Sequence, residues 1–493
     1  MKQKTNKNKT ESIIKSEVRV RIAPSPTGAF HIGTARTALF NFLFTKKNKG
    51  KFILRIEDTD KVRSQKHFEQ DIIDNLDWLG IKRDEDPILG GKYGPYRQSE
   101  RTEIYKKYLK KLLKEGKAFY CFEAKKEGQG RLESFTEAHF SKDRDLSLPE
   151  AKKKIRAGES YIIRFKCPKK QKIAFEDLIR KKVEFNTDVI GDFSIAKNLE
   201  EPLYNFAAVI DDYEMKISHV IRGEDHLSNT PKQILLQQSL GFPSPQYGHL
   251  PLILGPDKTK LSKRHNTVSL SDYRKDGYLS EAIVNFIALL GWNPGTDREI
   301  FSLIELIDLF SLDKVQLAGA VFDLNKLDWI NGYYIRQKPI KELLKLIKVY
   351  FEKNNTDDAY LEKVVQVSRD RLKKLVNIVR ETEFFFEIPK YDNSLLVWKD
   401  MQEEEILKSL KTSLIFLERT DDFQFKKEDL DVLFLREAER FNEKDRGRLL
   451  WPLRVALTGV SASPSPSEVA SILGKKESIK RIKIAIKKIE SKN

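Results

Sequence analysis

The stretch Arg21–Thr34, RIAPSPTGAFHIGT, constrains the fold of this chain more than any other. Residues 18–23 alternate as a short strand, and Pro24, Pro26 and Gly28 break it. From His31 onward Ala35, Leu39, Phe42 and Leu43 recur at helical spacing. Strand, Pro/Gly turn and helix start make a cradle for an anion. Unpaired N–H groups face it, and the helix dipole favours negative charge there. The spacings of the P-loop and of the dinucleotide fingerprint are both missing from the turn, which excludes the two common nucleotide motifs.

The rest of the chain supplies a partner for that cradle. The 90 Lys+Arg exceed the 73 Asp+Glu and leave a net charge of +17, which favours a polyanionic partner, nucleic acid ahead of membrane. A hydrophobic content of 40% excludes a disordered chain. Two cysteines, Cys121 and Cys167, cannot build a disulfide framework, and a reduced, cytoplasmic setting is expected. No apolar run approaches the ~20 residues of a membrane span. Residues 1–16 read as a frayed basic lead-in.

Phe52–Ile56 reads as a buried strand delivering Glu57, Asp58 and Asp60 at its end, where open α/β sheets place ligands. A helix with Phe68, Ile72, Leu76 and Leu79 on one face stops at Gly80. A basic helix is expected over 104–113. From about 120 to 200 a Lys-rich helix and short β-type runs suggest an α+β insertion. The sheet is expected to resume with strands at 204–210 and 217–221, the second leading into Arg222-Gly-Glu-Asp-His226. Thr230 is expected to cap the next helix, with Pro231 at its first position and Gly241 past its end. Ser302 and Glu305 form a capping box, a helix over 323–330 ends at Asn331-Gly332, and Ser467 caps a short helix after the turn-rich loop 461–467. The last helix sets Ile479, Ile482, Ile486 and Ile489 on one stripe and Lys480, Lys483 and Lys487 on another, a basic stripe that reads as a solvated face. Beyond 336 no strand pattern remains.

A second polar loop, Gly255–Arg264, follows the apolar segment 250–254 and carries Lys260 and Lys263. Lysines there can reach a triphosphate and neutralise charge that develops during displacement. His31-Ile-Gly-Thr34 and Lys260-Leu-Ser-Lys-Arg264 resemble the HIGH and KMSKS signatures of class I aminoacyl-tRNA synthetases. RIAPSPTG, FILRIEDTD, GPYRQSER, HVIRGEDHLSNTP and WPLRVALTG are similar to the bacterial-type glutamyl branch of that family. These blocks run from about residue 19 to 474. Thr34 in place of the second His, and KLSKR for KMSKS, both fit that branch, although no role of the second His carries over.

The resemblance implies an α/β Rossmann-like catalytic domain with an α+β insertion, followed by an all-α anticodon-binding region. The boundaries it suggests are catalytic halves at 17–100 and 204–255, and an acceptor-stem-binding insertion at 101–203. A stem-contact region follows at 256–335 and a helical region at 336–493. It implies a monomeric ligase using ATP, L-glutamate and tRNA(Glu), with Mg2+ entering as part of the ATP complex. Its catalytic residues are His31, Lys260 and Lys263. His31, Gly33, Thr34 and Lys263 bind ATP, whereas Arg21, Ser25, Glu57, Tyr204 and Arg222 bind glutamate. Some relatives hold zinc through a cysteine cluster in the insertion; with Cys121 alone there, no zinc is expected.

Competing readings are plainer. Arg21 and Glu57 pair with each other, His31 is only a helix cap, Tyr204 is core, and Asp225 and His226 cap the helix near Thr230. At the level of function the rivals are a non-discriminating synthetase that also charges tRNA(Gln) with glutamate, and an RNA-binding protein that has lost catalysis.

Overall fold

The computed structural model describes residues 17–123, 139–261, 269–351 and 357–491. Two compact units divide them. The first comprises the chain to Arg274 together with Ser280–Leu327, and the second comprises Lys275–Leu279 and Asp328 onward. The basic lead-in and residues 262–268, with Lys263 and Arg264, lie outside the described residues. Among the described residues no helix is long and apolar enough to cross a membrane.

The first unit is built on β1 (Arg19–Ile22), α1 (Ile32–Lys47), β2 (Lys51–Leu54) and α2 (Lys66–Trp78). It continues through α3 (Thr102–Lys114), β3 (Ala118–Cys121), α4 (Leu148–Arg156), β4 (Ile162–Phe165), β5 (Lys172–Asp177), β6 (Lys181–Asn186) and β7 (Phe193–Ala196). Then come α5 (Tyr204–Glu214), β8 (His219–Gly223), α6 (Thr230–Leu240) and β9 (Gln246–Leu250). The main sheet has the order β2-β1-β8-β9-β5-β6, parallel throughout except for the β5–β6 hairpin. From β1 the chain crosses through α1 to β2 on one side, and from β8 through α6 to β9 on the other. The direction of winding therefore reverses between β1 and β8, and a crevice opens beyond their C-terminal ends.

α1 is buried on nearly all sides, which fixes where its N-terminus points. Asn41 donates to the Ile221 carbonyl of β8 at 2.9 Å, and Phe40 meets Phe310 edge-on at 5.1 Å. Thr45 returns its hydroxyl to the Asn41 carbonyl, although Asn41 Oδ1 and Arg36 Nε on the same helix are buried without a partner.

Beneath the crevice lies a buried charge cluster. Arg55, just past β2, is fully buried; it donates to Asp212 at 2.6 Å and to Glu57 at 3.0 Å, with Asp211 at 3.7 Å. Asp211 also accepts from Arg101, Gln98 and Tyr105. Burial and this carboxylate together push the Tyr105 phenol far above its usual range. The cluster joins β1, β2, α3 and α5, and its charges are tolerable inside the protein because each is paired and hydrogen-bonded.

Several sequence expectations change here. Residues 204–210 form the start of α5, not a strand. The apolar run Phe206–Ile210 is buried because the helix is covered on more than one side, a pattern that periodicity alone cannot tell from a core strand. Thr230 is the first residue of α6 rather than its cap, and its hydroxyl turns instead to Arg222 and His249. Gly241 does end that helix, with φ 75°. The segment between α3 and α5 contributes a separate antiparallel sheet, β3-β4-β7, but its β5–β6 hairpin joins the main sheet beside β9.

β10 (Ile253–Leu254), α7 (Leu270–Lys275), α8 (Ser280–Ala288), α9 (Leu303–Leu309) and β11 (Ala320–Val321) complete the order up to α10 (Leu324–Gln337). The Ser302–Glu305 capping box forms as expected at α9. α10 runs on through Asn331-Gly332, because Asn331 is buried and donates to the Lys373 and Gly277 carbonyls instead of ending the helix.

The second unit is helical among its described residues, with α11 (Ile340–Ile347), α12 (Asp358–Ser368), α13 (Ile378–Thr382), α14 (Glu403–Arg419), α15 (Lys427–Phe441), α16 (Gly447–Thr458) and α17 (Pro466–Glu490). Its core gathers Leu410, Leu417, Leu449, Leu453, Val469 and Ile482. α17 is capped by Ser465 with Glu468, not by Ser467, whose hydroxyl is committed to Asp431. The helix breaks at Gly474, where φ is 79°. On its basic stripe Lys480 and Lys483 pair with Glu477 and Glu418, as befits a solvated face.

Replacing Arg55 by Met leaves Asp211, Asp212 and Glu57 without their shared cation. We expect a loss of ~3–5 kcal/mol, read as a lower urea midpoint. An unchanged midpoint would contradict the role given to this cluster.

Candidate active site

The crevice between β1 and β8 holds a cavity of about 810 Å³. Its lining includes Arg21, Ser25, His31, Gly33, Thr34, Glu57, Tyr204, Arg222 and Lys260, so every site residue expected from sequence that lies within the described residues meets in one place. Lys263 lies outside them. Arg36, Asp225, His226 and Asn229 also line the cavity and were not singled out as ligand-binding by the sequence. Among the described lining residues, four cations (Arg21, Arg36, Arg222, Lys260) face two carboxylates, Glu57 and Asp225.

At the helix end, His31 is the N-cap of α1. Its Nδ1 accepts from the Thr34 N–H at 3.4 Å, which puts the ring proton of the neutral form on Nε2. Burial, reinforced by nearby Lys260 and opposed by Asp225, lowers the imidazole pKa below its usual value, favouring that neutral form. The Nε2 lies 3.2 Å from the Thr34 hydroxyl, and both residues line the cavity, so capping does not withdraw the ring from it. Gly33 leaves room for this arrangement: a Cβ there would sit 3.2 Å from the His31 ring and press on it. Lys260 is held by a tight turn, with Gly255 donating to the Thr259 carbonyl, and pairs with Asp225 at 3.1 Å. Asp225 and His226 belong to a 3-10 turn over 224–229 and cap nothing.

Deeper in the crevice, Arg21 and Glu57 do not pair directly. Arg21 donates to Asp212 at 3.1 Å, and Glu57 accepts from Arg55. Burial pushes the Glu57 carboxyl above its usual range, against the pull of Arg55 and Arg21. The Tyr204 hydroxyl lies 3.0 Å from His226 Nδ1, and burial beside Arg222 lowers the His226 pKa to about 4. Tyr204 is half-buried and lines the cavity rather than the core. Asp58 accepts from Ser99 and Asp60 pairs with Arg63, so both brace the strand end, and neither is among the residues lining the cavity.

Arg222 differs from its neighbours. It is 5% exposed, its Nε donates to His249 and its Nη2 to Thr230, while Nη1 is buried without a partner. Among the described residues no carboxylate lies within 4 Å of it. Arg36 also lacks a carboxylate, but its two Nη atoms are spent on the Leu290 and Pro251 carbonyls. Sequence reading missed Arg55, Asp211, Asp212, Asp177 and His249, since a single buried Asp or His carries no local signal. The Asp211-Asp212 pair within an otherwise apolar run was the one available hint.

Two further features bear on ligands. Among the described residues no group of three or more His, Cys, Asp or Glu side chains is placed to hold a metal. The helical unit has its own cavity of about 420 Å³, lined by Trp398, Trp451, Arg371 and Arg454. The two indoles lie 4.9 Å apart, and both arginines donate to the Ser463 carbonyl.

Residues 17–329 match the catalytic-domain family of tRNA synthetases class I (E and Q), and residues 342–486 match the anticodon binding domain family. The chain is 45% identical to glutamate–tRNA ligase 2 of Caldicellulosiruptor saccharolyticus, covering 94% of this chain and 98% of that one. It is 43% identical to a glutamate–tRNA ligase of Carboxydothermus hydrogenoformans, covering 94% and 99%. A crystal structure of a glutamate tRNA ligase from Elizabethkingia meningosepticum, in complex with its amino acid, superposes with a TM-score of 0.83 at 35% identity. That match covers 96% of this chain and 100% of the other. The switch-point crevice, the capped His31 turn and the lysine loop therefore sit in a chain that belongs to the class I tRNA synthetases of the E and Q group.

Proposed function

We propose that this protein is a glutamate–tRNA ligase that activates L-glutamate with ATP and transfers the glutamyl group to the 3′ end of tRNA(Glu). The observation that carries the reading is Arg222, a cavity-lining buried guanidinium whose Nη1 has no hydrogen-bond partner and which has no carboxylate within 4 Å among the described residues. A buried charge of this kind is costly until something neutralises it, and a substrate carboxylate is the group that does so.

The orientation of glutamate follows from depth. Its α-carboxylate must reach the triphosphate at the mouth, where His31 and Lys260 stand, so the side-chain carboxylate takes the deep position at Arg222. Arg21, Ser25 and Tyr204 complete the carboxylate contacts, and Glu57 receives the ammonium group. ATP lies over the start of α1, against Gly33 and Thr34, with His31 Nε2–H, Lys260 and Lys263 on its phosphates. Magnesium enters as part of that substrate. An oxygen of the α-carboxylate attacks the α-phosphorus, the bond to pyrophosphate breaks, and glutamyl-AMP forms. A terminal ribose hydroxyl of tRNA then attacks the acyl carbon, releasing AMP. Neither step requires a protein nucleophile, so positioning and charge stabilisation supply the acceleration.

The basic surplus serves tRNA phosphates. In the helical unit, the cavity with two indoles and two arginines suits a stacked, hydrogen-bonded nucleobase. No observation favours charging of tRNA(Gln) over this reading.

Arg222→Gln is expected to raise the glutamate KM by ~10²-fold or more while the ATP KM stays close to wild type; an unchanged glutamate KM contradicts the assignment. Glu57 must be ionised to hold the ammonium group. Because its pKa is raised, the glutamate KM should climb as pH falls, starting above the pH at which an exposed glutamate would protonate. A glutamate KM that stays flat down to pH 5, in a protein still folded, contradicts this.

A further inference from the structure

We propose that Asp177 and His249 are positioning residues for Arg222, and that a neutral histidine holds the arginine so that its charge is left for the substrate. The proposal rests on the reading above, in which Arg222 meets a carboxylate of glutamate.

Register puts the three groups side by side. Arg222 of β8 is the direct partner of His249 on β9, and Asp177 ends β5 beside Tyr247 of β9. Asp177 and His249 are buried. Asp177 Oδ1 accepts from the backbone N–H groups of Ile179, Arg180 and His249, and Oδ2 lies 2.6 Å from His249 Nδ1. Burial alone would raise the Asp177 pKa, but these hydrogen bonds hold it below the usual range. Burial lowers the His249 pKa despite Asp177. The ring is thus a neutral imidazole with its proton on Nδ1, donated to Asp177. Its Nε2 lone pair accepts from Arg222 Nε at 3.2 Å and from the Thr230 hydroxyl at 3.0 Å. Thr230 in turn accepts from Arg222 Nη2 at 2.8 Å.

This chain of bonds does two things. It clamps one edge of the guanidinium in a single orientation and leaves Nη1 without a partner, and it does so with uncharged contacts. Arg21 shows the alternative, since its guanidinium is already paired with Asp212. A carboxylate in place of His249 would neutralise Arg222 in the same way and weaken its preference for a charged ligand over an amide. The fixed negative charge of Asp177 stands one residue back, where it sets the tautomer. The carboxylate comes from the hairpin that joins the main sheet, and Arg180 of the same hairpin pairs with Glu224 just beyond β8.

Asp177→Asn tests the idea with little change of shape. The amide oxygen is needed by the three backbone N–H groups, so the amide nitrogen faces His249 and drives its proton to Nε2. That N–H then opposes Arg222 Nε–H, and the clamp fails. In the full-length enzyme we expect the glutamate KM to rise ~10-fold or more, with the ATP and tRNA KM values within about twofold of wild type. Nitrogen NMR of the histidine ring should show Nδ1–H in the wild type and Nε2–H in the variant. If Arg222→Gln raises the glutamate KM but Asp177→Asn does not, the positioning role is overturned and the functional reading stands. If Arg222→Gln leaves it unchanged, both fall. A wild-type His249 that is doubly protonated or Nε2-protonated at pH 7 overturns the proposal whatever the variant's yield.

Discussion

The guanidinium of Arg55, buried among Asp211, Asp212 and Glu57, is the interaction on which the crevice depends. It ties the end of β2 to α5, and through Asp212 it fixes Arg21 on β1. A buried cluster of this kind adds little net stability over an apolar core of the same volume, but losing one member leaves the others uncompensated. Its value is geometric: it holds the floor of the site rigid where β1 and β8 part. Above that floor, Arg222 lies buried in the cavity wall with no carboxylate within 4 Å among the described residues and no partner for its Nη1, and the contrast between satisfied and unsatisfied charge marks where a ligand belongs.

Much of this was legible in the sequence. The Pro/Gly turn after an alternating strand led to the helix start, and the polar ends of apolar runs located Glu57, Arg222 and Lys260. The resemblance gathered Arg21, Ser25, Glu57, Tyr204 and Arg222 around one substrate, and the structure lines one cavity with all five. The parts that escaped were decided by tertiary contact. Residues 204–210 are apolar enough for a core strand and become a helix because neighbours cover them. Thr230 has the chemistry of a cap, yet its hydroxyl is drawn to Arg222. Asp177, His249 and Asp212 act through partners 27 to 191 residues away, a distance no local pattern spans.

The edge hairpin shows how the fold and the site are linked. β5 and β6 belong to a segment that interrupts the two halves of the parallel sheet, and yet they complete that sheet and supply Asp177. The interrupting segment therefore takes part in shaping the wall of the cavity around Arg222. Register does the work: parallel pairing of β8 with β9 sets Arg222 against His249, and the β9–β5 bridge brings Asp177 to the same ring.

The central claim is that an uncompensated buried guanidinium selects a substrate with a side-chain carboxylate. The most direct measurement is the kcat/KM of the wild-type enzyme for aminoacylation of tRNA with glutamate and with glutamine, compared in one assay. The account predicts a preference for glutamate of at least ~10²-fold, because the amide leaves Arg222 un-neutralised in its buried site. Comparable charging with glutamine would contradict it.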